Sequence, residues 1–275
     1  MKVLVAGGSG RLGSLVVRKL VDNGVGVRVL TRDEGRARGH QEPDVEIATG
    51  DVRRPETLRA AVQGADVVVS AIHGFAGAGL SPQSVDRDGN ASLIDAAESV
   101  GAAVVLMSIV EASADSPMEL LRCKHAAEQR LRAGGVPWTI IRSAAFVELW
   151  AELVGKGIVF GRGDNPINFV SVHDVANVVT DAVLDPGTRG QVVEVVGPES
   201  LSFNQLAARL KARTGRPKHV RHVPRPLLRI MAPLNRQPRA ALVMDTTDMT
   251  YRSSSGARVG QTSLDEAIAR EGAVT

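Results

Sequence analysis

Short apolar runs alternate with amphipathic stretches along the first half of the chain. Val and Ile dominate the runs, as in buried strands, and the stretches repeat apolar residues every three or four positions, as in helices. The predicted strands are Lys2 to Ala6, Gly26 to Thr31, Val45 to Thr49, Asp66 to Ala71, Ala103 to Ile109 and Trp138 to Arg142. The predicted helices are Arg11 to Asn23, Pro55 to Gln63, Val85 to Val100 and Pro117 to Ala133. Because each connection can hold a crossover helix, the pattern predicts an α/β fold with a doubly wound parallel sheet.

The regular alternation of apolar runs and amphipathic stretches ends after Arg142. The features predicted there are a glycine-rich piece at 155–165, a strand at 167–171, a helix that begins near 173, a strand at 192–196 and a helix at 203–213. Five prolines follow and break long helices: Pro217, Pro224, Pro226, Pro233 and Pro238. We expect residues 1–150 to form the main domain, and we expect the chain to rejoin this domain at about residues 166–196. Residues 151–165 and 197–275 are expected to form a smaller lobe that encloses a substrate over the carboxyl edge of the sheet.

A glycine-rich turn joins the first strand to the first helix and reads Gly7-Gly8-Ser9-Gly10-Arg11-Leu12-Gly13. Gly7 permits the tight turn, Gly10 lets the backbone approach a diphosphate, and Gly13 lets the helix pack closely. Backbone amides and aligned peptide dipoles at the start of a helix favour an anion. The turn therefore predicts a dinucleotide-binding site.

The end of the second strand indicates which dinucleotide binds. Sites for NAD usually carry Asp or Glu there, whereas this chain has Thr31-Arg32. Arg32 favours the 2′-phosphate of NADP(H), and Arg11 can approach the same group. Asp33 and Glu34 follow, and either can turn inward, while Arg32 can also be a solvated loop charge.

The third strand ends at Gly50-Asp51-Val52. The Asp51 carboxylate can accept a hydrogen bond from the amino group of adenine. It can equally cap the helix that begins at Pro55, and the sequence leaves both interpretations open.

Composition and charge argue against several other classes. The chain has 33 Lys and Arg against 30 Asp and Glu, with the signs interspersed and 3% aromatic residues, which argues against a nucleic-acid partner. No apolar stretch reaches the roughly 18 residues of a membrane span and no charged leader precedes the first strand. The only cysteine, Cys123, fits a reducing compartment. Six scattered histidines without a His-x-x-x-His pair indicate no metal. We therefore expect a cytoplasmic protein without a membrane partner.

The chain resembles the NmrA-like branch of the atypical short-chain dehydrogenase/reductases. The residues that carry the resemblance are Gly7 to Gly13, Thr31-Arg32, Gly50-Asp51-Val52, Lys124 with Glu128, Val136 to Arg142, and His173-Asp174-Val175-Ala176. The resemblance implies a Rossmann core that binds a nicotinamide nucleotide. This branch includes quinone or dye reductases as well as cofactor sensors without enzymatic activity.

Lys124 is the first candidate for chemistry. It lies in an apolar helical stripe with Leu121 and Ala127, where an amine is costly unless it reaches a polar partner. Ribose hydroxyls would supply that partner, and the resemblance implies that Lys124 holds the nicotinamide ribose. Glu128 lies one turn later and can pair with Lys124 instead, or the lysine can reach past the helix edge to water.

The chain also departs from the pattern of this superfamily at one position. In active members of the superfamily, a tyrosine four residues before this lysine donates a proton, but this chain has Leu120 there. Tyr251, the only tyrosine, lies far along the chain. Leucine cannot protonate an alkoxide, so alcohol and ketone chemistry would lose a general acid worth roughly 10²- to 10⁴-fold.

Three further residues are candidates for the reaction space. The resemblance implies that Ser108 orients the acceptor oxygen, although its hydroxyl can simply bond a backbone carbonyl. His73 lies in the loop Ala71-Ile72-His73-Gly74-Phe75-Ala76-Gly77 and can donate a proton or be a plain surface histidine. Phe146 follows Ser143 in a segment that, in relatives, packs on the nicotinamide ring, and it can also be a core residue.

The sequence thus predicts an NADP(H)-dependent oxidoreductase that reduces a small conjugated acceptor such as a quinone. The expected catalytic residues are Lys124, Ser108 and His73. The expected cofactor contacts are Gly7, Gly10, Arg11, Leu12, Gly13, Thr31, Arg32, Asp51, Val52, Ala71, Ile72, Lys124, Ser143 and Phe146. A redox sensor that signals to a protein partner is the alternative, an epimerase is a weaker one, and a homodimer is open.

Overall fold

The computed structural model describes residues 1–37, 45–74, 79–232, 236–251 and 256–272. The strands are β1 Lys2–Ala6, β2 Gly26–Thr31, β3 Val45–Thr49, β4 Val67–Ser70, β5 Ala103–Ile109, β6 Trp138–Ser143, β7 Ala145–Phe146, β8 Ile158–Phe160, β9 Ile167–Val170, β10 Gln191–Val196, β11 Glu199–Leu201, β12 Arg221–Val223 and β13 Arg258–Val259. The helices are α1 Arg11–Asp22, α2 Leu58–Val62, α3 Asp88–Glu98, α4 Glu119–Arg132, α5 Val147–Gly155, α6 Val172–Leu184, α7 Phe203–Thr214, α8 Arg225–Met231, α9 Arg236–Thr246 and α10 Leu264–Gly272. Within these ranges, no helix is both long enough and apolar enough to cross a bilayer.

The central sheet has eight strands in the order β13-β10-β6-β5-β4-β1-β2-β3. The chain builds the sheet outward from β1 through β2 to β3 in one direction and from β4 through β5 to β6 in the other, with parallel pairing of β1 to both β2 and β4. This order confirms the predicted doubly wound parallel fold. In such sheets ligands bind where the strand order reverses, which here lies between β1 and β4.

Burial explains why the strand predictions succeeded. All four residues from Val3 to Ala6 are fully buried, and Val67 to Ser70 are buried throughout, as expected for strands covered on both faces. Helix α1 buries Leu12, Val16 and Leu20 on the face that the apolar spacing predicted.

The structure departs from the predicted helices at two places. The predicted helix at 85–100 begins as a π-helical turn, Pro82–Arg87, and continues as α3. The prolines late in the chain do not exclude helices: Pro226 and Pro238 lie in the first turns of α8 and α9. Proline is tolerated there because the first turn needs no intrahelical N–H donor.

The chain divides into two compact units. Unit 1 comprises residues 1–142 and 175–193, and unit 2 comprises residues 143–174 and 194–275. In this division the chain leaves unit 1 at Arg142 and returns at Val175, while the expected domain bounds at 150 and near 166 stay a prediction. Strand β9 pairs with β7 and β11 in a separate three-stranded sheet of unit 2.

Candidate functional site

The glycine turn follows β1 on one side of the switch point in unit 1. Gly7 has a φ of +84°, and a Cβ there would lie 2.6 Å from the carbonyl oxygen of Ala71. A Cβ on Gly13 would overlap the carbonyl oxygen of Gly7, so the helix rests directly on the turn. A Cβ on Gly10 would meet only the Gly7 carbonyl oxygen, at 3.2 Å. Gly7 and Gly13 are thus required by the fold, whereas Gly10 is exposed and has a single close neighbour, the Gly7 carbonyl oxygen.

Helix α1 begins without a side-chain cap on Gly10 and without an acidic residue in its first turn. The backbone amides at a helix start lack intrahelical acceptors, and they attract an anion through their N–H groups and the helix dipole. This uncapped helix start at the exposed Gly10 fits a diphosphate.

The two carboxylates after β2, of Asp33 and Glu34, are exposed and accept local hydrogen bonds. The Asp33 carboxylate accepts a hydrogen bond from the backbone amide of Gly35 at 2.8 Å. The Glu34 carboxylate accepts one from the Thr49 hydroxyl at 2.9 Å. Arg32 itself is exposed, and buried Thr31 bonds within the turn.

Asp51 is clamped by a neighbouring arginine. Both of its carboxylate oxygens lie within hydrogen-bond distance of the Arg53 guanidinium, and one accepts from the Arg53 amide at 3.0 Å. The hydrogen bonds from Arg53 lower the pKa of Asp51, burial opposes the shift, and the charge of Arg32 adds a smaller lowering. The alternative in which Asp51 caps the helix at Pro55 is wrong, because the residue before that turn is Arg54 and no side chain caps it.

Val52 and Leu12 are cofactor candidates whose side chains point into the core. Leu12 is 7% exposed and Val52 is 8% exposed. A Cβ on Gly89 would lie 2.7 Å from Val52, so the valine packs against the start of α3. Any contact that these two residues make with a cofactor would therefore come from their backbones.

Lys124 lies on α4 and is almost completely buried, at 4% exposed. Its amine donates hydrogen bonds to the carbonyl oxygens of Ile72 at 3.0 Å and Met107 at 3.1 Å. It also forms an ion pair with Asp86, whose Oδ1 lies 3.0 Å from Nζ at an angle that is not that of a hydrogen bond. The alternative in which Lys124 pairs with Glu128 is not seen, because Asp86 supplies the carboxylate.

The Lys124–Asp86 pair holds the turn after β4 from both sides of His73. Lys124 binds the carbonyl of Ile72, and the Asp86 carboxylate accepts from the amide of Gly74 at 2.8 Å. The residue between these two anchors, His73, is exposed. The remainder of the predicted glycine-rich loop, 75–77, lies outside the described residues.

The environment of His73 lowers its pKa below the usual value of 6.5. Partial loss of water around the ring is the largest cause, the charge of Asp86 opposes it, and the charge of Lys124 lowers the pKa further. Because the side chain is exposed, the desolvation is incomplete.

Glu128 forms a second buried cluster one turn along α4. Its carboxylate accepts from the Ser108 hydroxyl at 2.6 Å and from two nitrogens of Arg142 at 2.9 and 2.6 Å, and Arg132 lies 3.2 Å away. The hydroxyl proton of Ser108 is therefore donated to a carboxylate, not to a backbone carbonyl. Ser108 keeps only its lone pairs for another partner.

Four other residues singled out from the sequence have surroundings of their own. Ser143 is buried and Phe146 is half-buried, and both belong to unit 2. Cys123 is buried, which raises the pKa of its thiol, and the charges of Glu119 and Asp86 raise it further. Tyr251 donates a hydrogen bond to Glu194 within unit 2.

Asp86 is the residue that sequence reasoning missed. A signal was present, because Asp86 and Asn90 stand four residues apart in register with Leu93 and Ile94. Polar residues on such a stripe must find partners. Asp86 finds Lys124 and Gly74, and the Asn90 amide accepts from the Ser70 hydroxyl at 2.5 Å.

The fold and the glycine turn define a Rossmann-type nucleotide-binding protein. A family model described as NAD(P)H-binding matches residues 7–186. An NAD(P)H azoreductase of Xenophilus azovorans is 34% identical over 227 residues, which cover 80% of this chain and 76% of that protein. A photosystem II assembly factor of Synechocystis is 28% identical over 243 residues, which cover 86% of this chain and 74% of that protein.

Among solved structures, an NADPH-dependent quinone oxidoreductase from Escherichia coli in complex with NADPH matches with a TM-score of 0.76. The identity is 18%, and the match covers 98% of this chain and 99% of that one. The chain belongs to the NAD(P)H-binding family of NmrA-like, atypical short-chain dehydrogenase/reductase type. The resemblance noted in the sequence is thereby confirmed, and relatives in this family include NAD(P)H-dependent oxidoreductases.

The two glycines of the turn should respond differently to alanine. We expect Gly13→Ala to lower the free energy of unfolding by about 1–3 kcal/mol, because its Cβ overlaps the Gly7 carbonyl. Gly10→Ala should cost less stability than Gly13→Ala, because its Cβ meets only the Gly7 carbonyl oxygen at 3.2 Å, and it should weaken NADPH binding. Urea unfolding and calorimetry measure the two effects, with Gly135→Ala, where a Cβ meets nothing within 4 Å, as the control. Equal stability losses at positions 13 and 135 would contradict the packing described.

The buried ion pair should be strongly coupled. Lys124→Met leaves the Asp86 charge buried and uncompensated, so we expect a loss of about 3–5 kcal/mol in the free energy of unfolding. The double variant Lys124→Met/Asp86→Asn should recover a large part of that loss, because no unpaired charge remains. A double-mutant cycle in urea measures the coupling, and additive effects of the two substitutions would refute it.

Proposed function

We propose that this protein is an NADPH-dependent reductase that delivers a hydride to a small conjugated acceptor of the quinone or azo type. The observation that carries the proposal is the glycine turn, in which Gly7 and Gly13 have no space for a side chain and the exposed Gly10 begins an uncapped helix. The azoreductase relative supports an azo or quinone acceptor, because it is 34% identical over four fifths of the chain.

The residues near β2 favour NADPH over NADH. Asp33 and Glu34 are engaged by Gly35 and Thr49, so neither carboxylate is directed to a ribose hydroxyl. Asp51 is neutralised by Arg53. Arg32 is then the exposed charge at the end of β2, and a guanidinium binds a phosphate through two parallel hydrogen bonds.

A bound nicotinamide supplies the hydride. Lys124 fixes the turn after β4 and keeps one N–H beyond its two carbonyl bonds, which we assign to Asp86 or to a ribose hydroxyl. Ser108 accepts rather than donates, because its proton is bonded to Glu128. The buried Glu128–Arg142 pair in turn fixes Ser108 at the end of β5.

The proton balance decides which acceptors suit this site. Leu120 stands where a tyrosine would donate, so a localised alkoxide would form without a positioned acid. Reduction of a quinone or azo group instead spreads the charge over a conjugated system, which water or His73 can protonate. The anchoring of its two flanking residues and the solvent exposure of the residue itself support this role for His73.

A redox sensor that binds NADPH without turnover is the second candidate. The absence of the phenolic acid at Leu120 favours it, and so does the 28% identity with a photosystem II assembly factor. Such a protein would pass the state of its nucleotide to a protein partner.

Nucleotide preference can be measured by calorimetry. We expect Arg32→Ala to weaken NADPH binding by roughly 10- to 100-fold and to leave NADH binding nearly unchanged, because a charge-assisted phosphate contact is lost. Arg54→Ala is the matched control, since Arg54 is exposed near the same edge and pairs with Glu56. An unchanged ratio of the two affinities in Arg32→Ala would refute the assignment.

Turnover can be followed by loss of NADPH absorbance with a panel of quinones and azo dyes. If His73 donates the proton, the rate should fall as pH rises through its pKa, which lies below 6.5, because only the protonated ring donates. His73→Gln should lower the rate by about tenfold or more at low pH and abolish this pH dependence. Exposed His222 provides the control variant His222→Gln. Tight NADPH binding without turnover on any acceptor would favour the sensor instead.

A further inference from the structure

Positive charge is concentrated in one stretch of unit 2. Between Glu199 and Asp245 the chain contains ten Lys and Arg residues and no Asp or Glu. Three of these cations are paired within the unit: Arg209 with Glu199, Arg213 with Asp265, and Arg225 with Asp245. Positive and negative residues are therefore not interspersed in this stretch, although they are interspersed over the chain as a whole.

Other cations of this stretch are exposed. Lys218, Arg221 and Arg229 all face solvent. In the ranges that the structure describes, none of the three forms an ion pair with an acidic side chain. Arg221 stands opposite Ile158 in the β12–β8 pair, and Ile158 is itself 46% exposed.

Helix α8 continues this stretch and exposes its apolar face. Leu227, Ile230 and Met231 are 46%, 70% and 40% exposed, respectively. They follow the i, i+3, i+4 spacing that places side chains on one face of a helix. Single exposed apolar residues are ordinary, but an aligned apolar stripe marks an interaction surface.

The orientation of α8 is fixed by its other residues. Leu228 is 1% exposed, and Arg225 at the start of the helix donates to the Asp245 carboxylate and to its backbone carbonyl at 2.8 Å. Asp245 also accepts from the backbone amides of Arg162 and Gly163 at 3.0 Å. The apolar stripe therefore faces outward because the opposite side of α8 is anchored.

We propose that this basic–apolar surface, formed by Lys218, Arg221, Leu227, Ile230 and Met231, binds the surface of an anionic lipid bilayer. Such a surface offers both partners that the residues require: phosphate headgroups for the cations and an acyl boundary for the apolar stripe. The expectation of no membrane partner rested on the absence of a spanning segment, which does not bear on surface binding.

Other occupants fit less well. A second copy of the chain would bring the same positive charge to the contact, and like charges repel. Nucleic acid would satisfy the cations but leave the stripe without a partner, and no Phe, Trp or Tyr for base stacking occurs between Phe203 and Tyr251. This proposal is independent of reductase activity.

Vesicle flotation with the full chain tests the proposal. The protein should float with vesicles that contain phosphatidylglycerol and not with vesicles of phosphatidylcholine alone, and binding should weaken between about 0.1 and 0.5 M salt. Lys218→Gln/Arg221→Gln should reduce partitioning by roughly 25-fold, about fivefold for each cation. Leu227→Ser/Ile230→Ser should reduce it by about tenfold or more.

Matched controls come from elsewhere in unit 2. Leu149→Ser removes a 41% exposed leucine of α5, and Lys156→Gln removes an exposed lysine just after that helix. Both should leave vesicle binding unchanged, and urea unfolding verifies that every variant folds.

Three outcomes would overturn the proposal. The first is a wild-type protein that does not float with anionic vesicles. The second is binding to duplex DNA, but not to vesicles, that survives Leu227→Ser/Ile230→Ser. The third is a dimer that Ile230→Ser dissociates in a protein without affinity for vesicles.

Discussion

The contact between Lys124 and Asp86 is the constraint on which the arrangement around the switch point depends. Neither charge is accessible to water, so each needs the other, and together they fix backbone groups on both sides of His73. The backbone carbonyl of Met107, near the end of the neighbouring strand β5, also accepts a hydrogen bond from Lys124. One ion pair thereby joins α4, the turn after β4 and the π-helical turn into a single rigid unit, at the edge where ligands of this fold bind.

Much of the fold was predictable because buried parallel strands leave a direct signature. The bounds of β1, β2, β3 and β5 agree with the prediction to the residue. Later elements were missed for physical reasons. Strands β8 and β12 have three residues each and depend on a partner more than fifty positions away, and α8 begins at prolines that suggest an interruption.

The candidate site was predictable in its glycine turn and only partly beyond it. The jobs of Gly7 and Gly13 follow from backbone geometry that any such turn requires, whereas the partner of Lys124 depends on tertiary structure. The periodicity around Asn90 contained that information, because Asp86 is a carboxylate on an apolar face. Likewise, the charge of the late segment was hidden by whole-chain counts that balance to within three charges.

Helix α4 carries two buried charges of opposite sign, and each has its own partner: Lys124 with Asp86, and Glu128 with Arg142. If the helix slid or turned by one residue, both buried charges would lose their partners. Position 120, one turn ahead, is therefore held in a constant register whatever side chain it bears. Gain or loss of a phenol there would alter proton supply without disturbing the architecture, so one scaffold of this kind can serve as a catalyst in one descendant and as a silent nucleotide receptor in another.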